Sequence, residues 1–419
     1  MNKTLKTIAI LFAASSLILT GCKDDKEKGC TDTAAANYDP SAEEDCCCYY
    51  DTDGGSDNIV VAGTISSDTE WTNDNVYELD GRVAVESGAT LTIQEGTIVK
   101  GQAGSGPNAS ALLVARGGKL MAEGTAALPI IFTSVADELD PTDIAAGNFA
   151  SPNLEPTLNG LWGGLIVLGN APISGSAAQL QIEGIPTTDT NGLYGGSDAT
   201  DDDGASVLKY ISIRHGGSNI GSGNEINGLT LGGVGTATVI ENIEIVSNQD
   251  DGIEWFGGTV NVSNVVVWNV GDDGLDTDQA WAGTLDNFVV ITPAGHCFEL
   301  DGPEGTMQAG HTMMNGTVIA SSEDRTSEDL INTDDNSIVN LVNVHITAIA
   351  DGQIINRVDH SEGTVNFTNV TLDVPAPDLI NYMPAGATIP AGITAGGTSQ
   401  ANTSMMNWTW AAQAGQLDF

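Results

Sequence analysis

Three stretches of this 419-residue chain carry carboxylates at a repeating spacing. They read N-I-E-I-V-S-N-Q-D-D-G-I-E-W-F from Asn242, N-V-V-V-W-N-V-G-D-D-G-L-D-T-D from Asn264, and N-F-V-V-I-T-P-A-G-H-C-F-E-L-D from Asn287. The leading asparagines are 22 and 23 residues apart. Eight and nine residues past each Asn stand Asp250-Asp251, Asp272-Asp273 and Gly295-His296. Position twelve holds Glu254, Asp276 and Glu299, and position fourteen holds Phe256, Asp278 and Asp301. Carboxylates recurring in this way have two chemical uses. Oxygen-only ligand sets bind hard divalent cations, calcium above all, and paired carboxyls act as acid and base in glycoside hydrolysis.

The elements that must position these groups follow from the rest of each unit. Their content is β-branched, with apolar residues at alternate positions and almost no 3.6-residue period. Units of this length cannot bury an apolar face alone, so they stack. One coil of a parallel β-helix per unit is the expectation. The Asn-apolar-x-apolar pattern recurs at Asn343 and Asn369, and more weakly at Asn315. Asn tolerates left-handed backbone angles, which suits a bend, and stacked amides can hydrogen-bond from coil to coil.

Alternation sends positions eleven and thirteen inward, among them Ile253, Trp255, Leu275, Thr277, Phe298 and Leu300, and positions twelve and fourteen outward. Adjacent coils lie ~4.8 Å apart, so the outward carboxylates stand in columns. At an effective dielectric of ~20 each neighbouring pair costs roughly 3 kcal/mol. Bound cations, retained protons or a wet, screened surface must relieve this. Three readings therefore stay open: a solvated acidic face, a cation site, or a catalytic carboxylate group. A cation site would draw on Asp250, Asp251, Asp272, Asp273, Asp276, Asp278, Glu299 and Asp301. A hydrolase would use Asp272, Asp273 and Asp276, with His296 adjoining. Trp255, Trp268 and Trp281 are candidate sugar platforms, although Trp255 is expected inward.

Composition narrows the partners. Asp plus Glu number 56 against 13 Lys plus Arg, a formal net charge of −43. Nucleic acid and anionic lipid headgroups are repelled by such a surface; cations and neutral glycans are not. Fifty-one glycines suit many tight turns between short strands.

Residues 1–21 form a secretory signal: Lys3 and Lys6, then an apolar run from Ile8 to Leu19. It ends Leu19-Thr20-Gly21-Cys22, which matches the lipobox of bacterial lipoproteins. That resemblance implies cleavage before Cys22 and its acylation, a firm anchor in the outer membrane. Lys23-Asp24-Asp25 resembles the surface-export signal of Bacteroidota lipoproteins and implies the cell surface. Residues 22–57 read as an acidic Cys-rich tether. Gly29-Cys30-Thr31-Asp32, Asn37-Tyr38-Asp39-Pro40 and Asp45-Cys46-Cys47-Cys48 resemble a small module of secreted Bacteroidota proteins, with three cysteines where that module has Gly-Ser-Cys. In an oxidising compartment Cys30 is expected to pair with one of Cys46 to Cys48, Cys48 being the chosen partner. Cys297 is expected to be a buried small hydrophobe.

Residues 58–398 are the expected β-helix. Thr90 and Thr92 alternate with Leu91 and Ile93 between turn glycines Gly88 and Gly96. Leu112 to Val114, Pro129 to Phe132 and Trp162 to Gly169 continue the strands, and Asp137 to Asn159 and Pro186 to Ser206 read as surface inserts. Asp201-Asp202-Asp203 is either a solvated tip or a cation loop. Arg214 is expected to pair with nearby acids. Residues 399–419, with Trp408 and Trp410, are expected to cap the last coil.

The strings D-D-G-I-E-W-F-G-G-T-V-N and G-D-D-G-L-D-T-D resemble the right-handed, pectate-lyase-like β-helix lipoproteins of Bacteroidota. The resemblance spans residues 59–419 and implies the fold rather than an activity. Lyases of this fold resemble one another in using calcium with an Arg or Lys base, yet Lys209, Arg214, Arg325 and Arg357 all lie outside the Asp250 to Asp301 coils. Polygalacturonase-like hydrolases carry N-T-D, D-D, G-H-G and R-I-K in that order. Here Gly271-Asp272-Asp273 matches the second and Gly295-His296 part of the third, while Asn332-Thr333-Asp334 follows both and the fourth is missing. The expectation is a surface-anchored protein that binds or presents, through calcium and polysaccharide, alone or in an outer-membrane complex. A glycoside hydrolase on the same face and a purely structural or adhesive role are the alternatives.

Overall fold

The computed structural model describes residues 58–106, 109–218, 226–323 and 325–419, and the backbone of two short strands before them. The chain divides into two compact units, Met1–Gly55 and Ser56–Phe419. In the first, Lys28–Gly29 pairs in parallel with Glu44–Asp45. Cys22, Cys30 and Cys48 lie outside the described residues.

In the second unit, twenty-two described strands join in one parallel ladder. The chain winds as a right-handed parallel β-helix, the hand that parallel crossovers take. Each coil contributes to three faces, here named A, B and C. Face A stacks Leu229–Gly232, Ile253–Phe256, Leu275–Asp278, Phe298–Leu300 and Asn332–Thr333. Faces B and C are the two halves of longer strands such as Val239–Val246, Val262–Trp268 and Thr284–Ile291.

The recurrent asparagines make the corner between B and C. Asn242, Asn264, Asn287, Asn315, Asn343 and Asn369 all have φ between 52° and 65°. Their amides stack as expected: Asn287 Nδ2 donates to Asn264 Oδ1 at 2.7 Å, and Asn369 Nδ2 to Asn343 Oδ1 at 3.0 Å. Because the bend resets alternation, Val265 and Val267 point inward beside Ile243, Ile245, Phe288 and Val290. One apolar column runs the length of the unit, from Ile65 to Ile393. Phe288 forces its neighbour to be small: a Cβ on Gly316, the next residue in that column, would lie 2.1 Å from Phe288 Cζ.

The last coil is closed by a segment other than the one expected. The 3-10 turn Ala376–Tyr382 and the strand Ile393–Ala395 place Leu379, Met383 and Ile393 against the end of the core. Residues 399–419 instead run back along the outside of face C, where Met406, Trp410, Ala411 and Leu417 cover Val246, Val266, Trp268, Val289 and Ile291. Alternation left that outer row apolar, and this return segment buries it. Arg214 lies beneath it, fully buried, 3.5 Å from Glu244 and 5.0 Å from the Trp410 ring centroid. Its expected structural pairing is what the geometry shows.

Candidate functional site

Register on face A places the carboxylates. Thr230, Glu254, Asp276, Glu299 and Asn332 are successive partners in one outward column. The turn before each strand supplies a second tier. Asp273 N–H donates to Asp251 Oδ1 at 2.9 Å, and the His296 backbone N–H donates in turn to Asp273 Oδ1. Each turn carboxylate thus holds the backbone of the coil above.

The column is not a wet face. Asp251 is 6% exposed, Glu254 6%, Asp273 3% and Asp276 9%. The expected solvated acidic surface holds only for the rim: Asp272 is exposed, and Asp250, Asp278, Glu299 and Asp301 are half-buried. Irregular segments make the difference. Ile173, Ile182, Ile185 and Tyr194 pack over Phe256, which points out of the coil yet is buried. Tyr194 Oη bonds to Gln279 Oε1 at 3.0 Å, and Gln279 Nε2 reaches Glu304 Oε2 at 3.2 Å. From the other side Asn227 Nδ2 donates to Glu254 Oε2.

Buried like charges change their proton affinity. Burial first, then their mutual repulsion, pushes Asp251, Glu254 and Asp276 well above the carboxylate range. Burial also raises Asp278, beside Asp301 and Glu304, to about 7, and Asp301, beside Asp334, to about 6. Glu299 rises to about 9, chiefly through its hydrogen bond with Asp273 and then through burial. Asp273 goes the other way. Burial would raise it, but hydrogen bonds from His296 and Glu299 outweigh that and lower it. Near neutral pH Glu299 therefore keeps its proton and donates it to the Asp273 carboxylate. His296 Nδ1 lies 2.9 Å from Asp273 Oδ1, and its Nε2 lies 3.1 Å from Asn332 Nδ2. Burial lowers the His296 pKa, and the Asp273 bond more than reverses this.

The expected ligands fall into three groups whose donor atoms lie within 4.8 Å of one another: Asp250/Asp251/Asp272, Asp251/Glu254/Asp276 and Asp273/His296/Glu299. Asp278 and Asp301 belong to none of them. The second group is all oxygen, which fits calcium. The third contains a nitrogen and is already knit by a shared proton, which does not. Two atoms in and beside the second group are orphaned: Asp276 Oδ1 and Asn227 Oδ1 are buried with no hydrogen-bond partner. Such atoms are uncommon and costly unless something completes them.

As a hydrolase pair, Asp272, Asp273 and Asp276 are separated in environment: Asp272 is exposed, whereas Asp273 is engaged by Glu299 and His296. The Asp273–Glu299 carboxyls are directly hydrogen-bonded, closer than the roughly 5–9.5 Å of paired glycosidase carboxyls. The tryptophans provide no sugar platform. Trp255 and Trp281 stack inside the coil at 4.6 Å, and Trp268 lies under the return segment. Arg325 is spent on the carbonyls of Asn269 and Val270 at 2.9 and 2.6 Å. In the Asp201–Asp203 triplet, Asp201 is buried and accepts from Asn170 N at 3.0 Å, a structural role, while Asp202 and Asp203 are exposed. Cys297 is fully buried, 3.2 Å from Ser327 Oγ, and burial pushes its thiol up to about 12.

Sequence reasoning left out Asn227 and Asn332, and left Glu254 outside the ligand set although it stood at the right register position. Asn332 joins the column only because the chain from 301 to 331 leaves the coil and returns, which destroys the sequence spacing.

No curated protein and no solved structure matches this chain. A family model does: the pectate-lyase-like β-helix domain matches residues 63–147 and 149–413. A stacked parallel helix with an acidic row on one face, and that match over most of its length, lead to one assignment: the chain belongs to the pectate-lyase-like β-helix domain family.

Proposed function

We propose that this protein is a lipid-anchored component of the outer-membrane surface whose β-helix binds calcium on face A and presents that face rather than catalysing. The observation that carries the cation reading is the orphaned Asp276 Oδ1, nine-tenths buried beside Asp251 and Glu254. Three carboxylates in such a pocket need either protons or a cation, and a hard divalent ion meets oxygen donors best. The anchor reading rests on Leu19-Thr20-Gly21-Cys22 and on Lys23-Asp24-Asp25.

Calorimetric titration of the chelator-treated protein with calcium tests the first part. Saturable binding and a higher melting temperature are expected, because a ligand that binds only the folded state stabilises it. No heat and no shift would leave a structural or adhesive protein. Fatty-acid labelling lost in Cys22→Ala, with protease access on intact cells, tests the address. The hydrolase alternative draws on the proton shared between Asp273 and Glu299. New reducing ends from an acidic polysaccharide, absent in Asp273→Asn, would put it first.

A further inference from the structure

The cation reading concerns a whole face, and the structure distinguishes two places on it. Asp250/Asp251/Asp272 sits at the rim, where Asp272 is exposed. Asp251/Glu254/Asp276 is enclosed. We propose that the ion is held in the enclosed group and that Asn227 is its fourth, neutral oxygen ligand. The proposal rests on the cation-binding reading above and adds the place, the ligand set and the means of selection.

Asn227 directly precedes Gly228 and the face A strand Leu229–Gly232, one coil below Glu254. It is 1% exposed. Its Nδ2 donates to Glu254 Oε2 and lies 3.4 Å from Thr230 Oγ1, so the amide sits against the carboxylate group. Its Oδ1 accepts nothing. A buried amide with a used NH2 and an unused carbonyl is half-satisfied, and so is Asp276 with its unused Oδ1. Rotation about the terminal amide bond exchanges the two ends of Asn227 at little cost, turning a hydrogen-bond donor to Glu254 into an oxygen donor to an ion. The rim has no such orphan. Three carboxylates and one amide oxygen make four protein donors of the six to eight that calcium takes, with bidentate carboxylates and a few waters completing the shell. Magnesium, which keeps its waters and wants a strict octahedron, fits an enclosed and crowded group less well.

Calcium titration of the full chain and four variants tests this. Glu254→Gln and Asn227→Ala are each expected to weaken calcium binding at least tenfold, and more than Asp272→Asn does. Asn227→Asp supplies an oxygen and no donor; it is expected to recover most of the affinity lost in Asn227→Ala. If Asn227 serves only as the donor to Glu254, Asn227→Asp will be as weak as Asn227→Ala or weaker, and the assignment falls. Loss confined to Asp272→Asn moves the ion to the rim and overturns the proposal while the cation reading stands. Absence of binding in the wild-type protein overturns both. Terbium bound to the wild-type protein gives a readout that needs no variant. Its luminescence lifetimes in H2O and D2O are expected to count at most about three waters, against five or more at an exposed site; the higher count also sinks the proposal.

Discussion

Asn264 shows how much one side chain does in this fold. Its backbone sits at φ 58°, its Oδ1 accepts from Asn287 in the next coil, and it turns the chain from face B to face C. A left-handed angle costs a Cβ-bearing residue roughly 1–2 kcal/mol, and the amide bond contributes about 1 kcal/mol. Asn264→Ala is therefore expected to destabilise by about 2 kcal/mol, and Asn264→Gly, which relieves the angle, by about half as much, read from denaturant midpoints. Equal losses would mean that the angle is not strained. His311 acts through its charge. It is buried, 5.0 Å from the Trp281 ring, and burial depresses its pKa from about 6.5 to about 3. The folded protein holds it neutral while the unfolded chain takes up a proton below pH 6.5. Its contribution is complete above that pH and is lost as pH falls toward 3, by about 1.4 kcal/mol per unit. The stability gap between wild type and His311→Gln is expected to narrow by roughly 2 kcal/mol between pH 6.5 and 5. A gap that does not change with pH would show that His311 is not buried as a neutral imidazole.

At the scale of elements, the return segment 399–419 is the part most open to test. It crosses several coils: Gln400 N donates to Thr317 at 3.0 Å, Asn402 N to Asn287 at 2.6 Å, Ala411 N to Glu244 at 2.9 Å, and Gln413 accepts from Phe149 N at 2.9 Å. Removing it uncovers Val246, Val266, Trp268, Val289 and Ile291 together. Contiguous apolar area of that kind drives association. A chain ending at residue 398 is expected to elute as oligomers or aggregate, and Trp410→Ala to lose about 3–5 kcal/mol. A monomeric, equally stable truncation would show that the segment does not seal the face. This packing also shows what sequence can reveal. The coils from Asn242 to Asn369 were legible because the information is local: a residue tolerant of φ > 0, alternation on either side, and a near-constant step. The outward column of Glu254, Asp276 and Glu299 followed from the same rule. Its burial did not. Ile182, Ile185 and Tyr194 belong to an irregular segment with no period, and nothing local states which face it covers. The return segment was misplaced for the same reason. An apolar outer row at Val246, Val266 and Val289 was the available signal, since solvent-facing positions of a strand are seldom all valine.

For the whole molecule the question is how a chain of net charge −43 stays folded. Two mechanisms answer differently to salt. Surface carboxylates repel through water, and mobile ions screen them once the Debye length falls to about 10 Å at 0.1 M. The enclosed row is beyond that remedy, because Asp251, Glu254 and Asp276 sit closer together than any screening length and have little water between them. Raising NaCl from about 20 to about 300 mM should therefore lift the melting temperature modestly, and by the same amount in wild type and in Asp276→Asn. Calcium at matched ionic strength should lift the wild type further. At a hundredfold excess over its dissociation constant that increment is worth about 2.7 kcal/mol, and in Asp276→Asn it should disappear. Screening alone predicts something else: equal increments for calcium and sodium once ionic strength is matched, and no dependence on Asp276. If calcium does no more than sodium, the acidity of this chain is a property of its surface and face A holds protons where we place an ion.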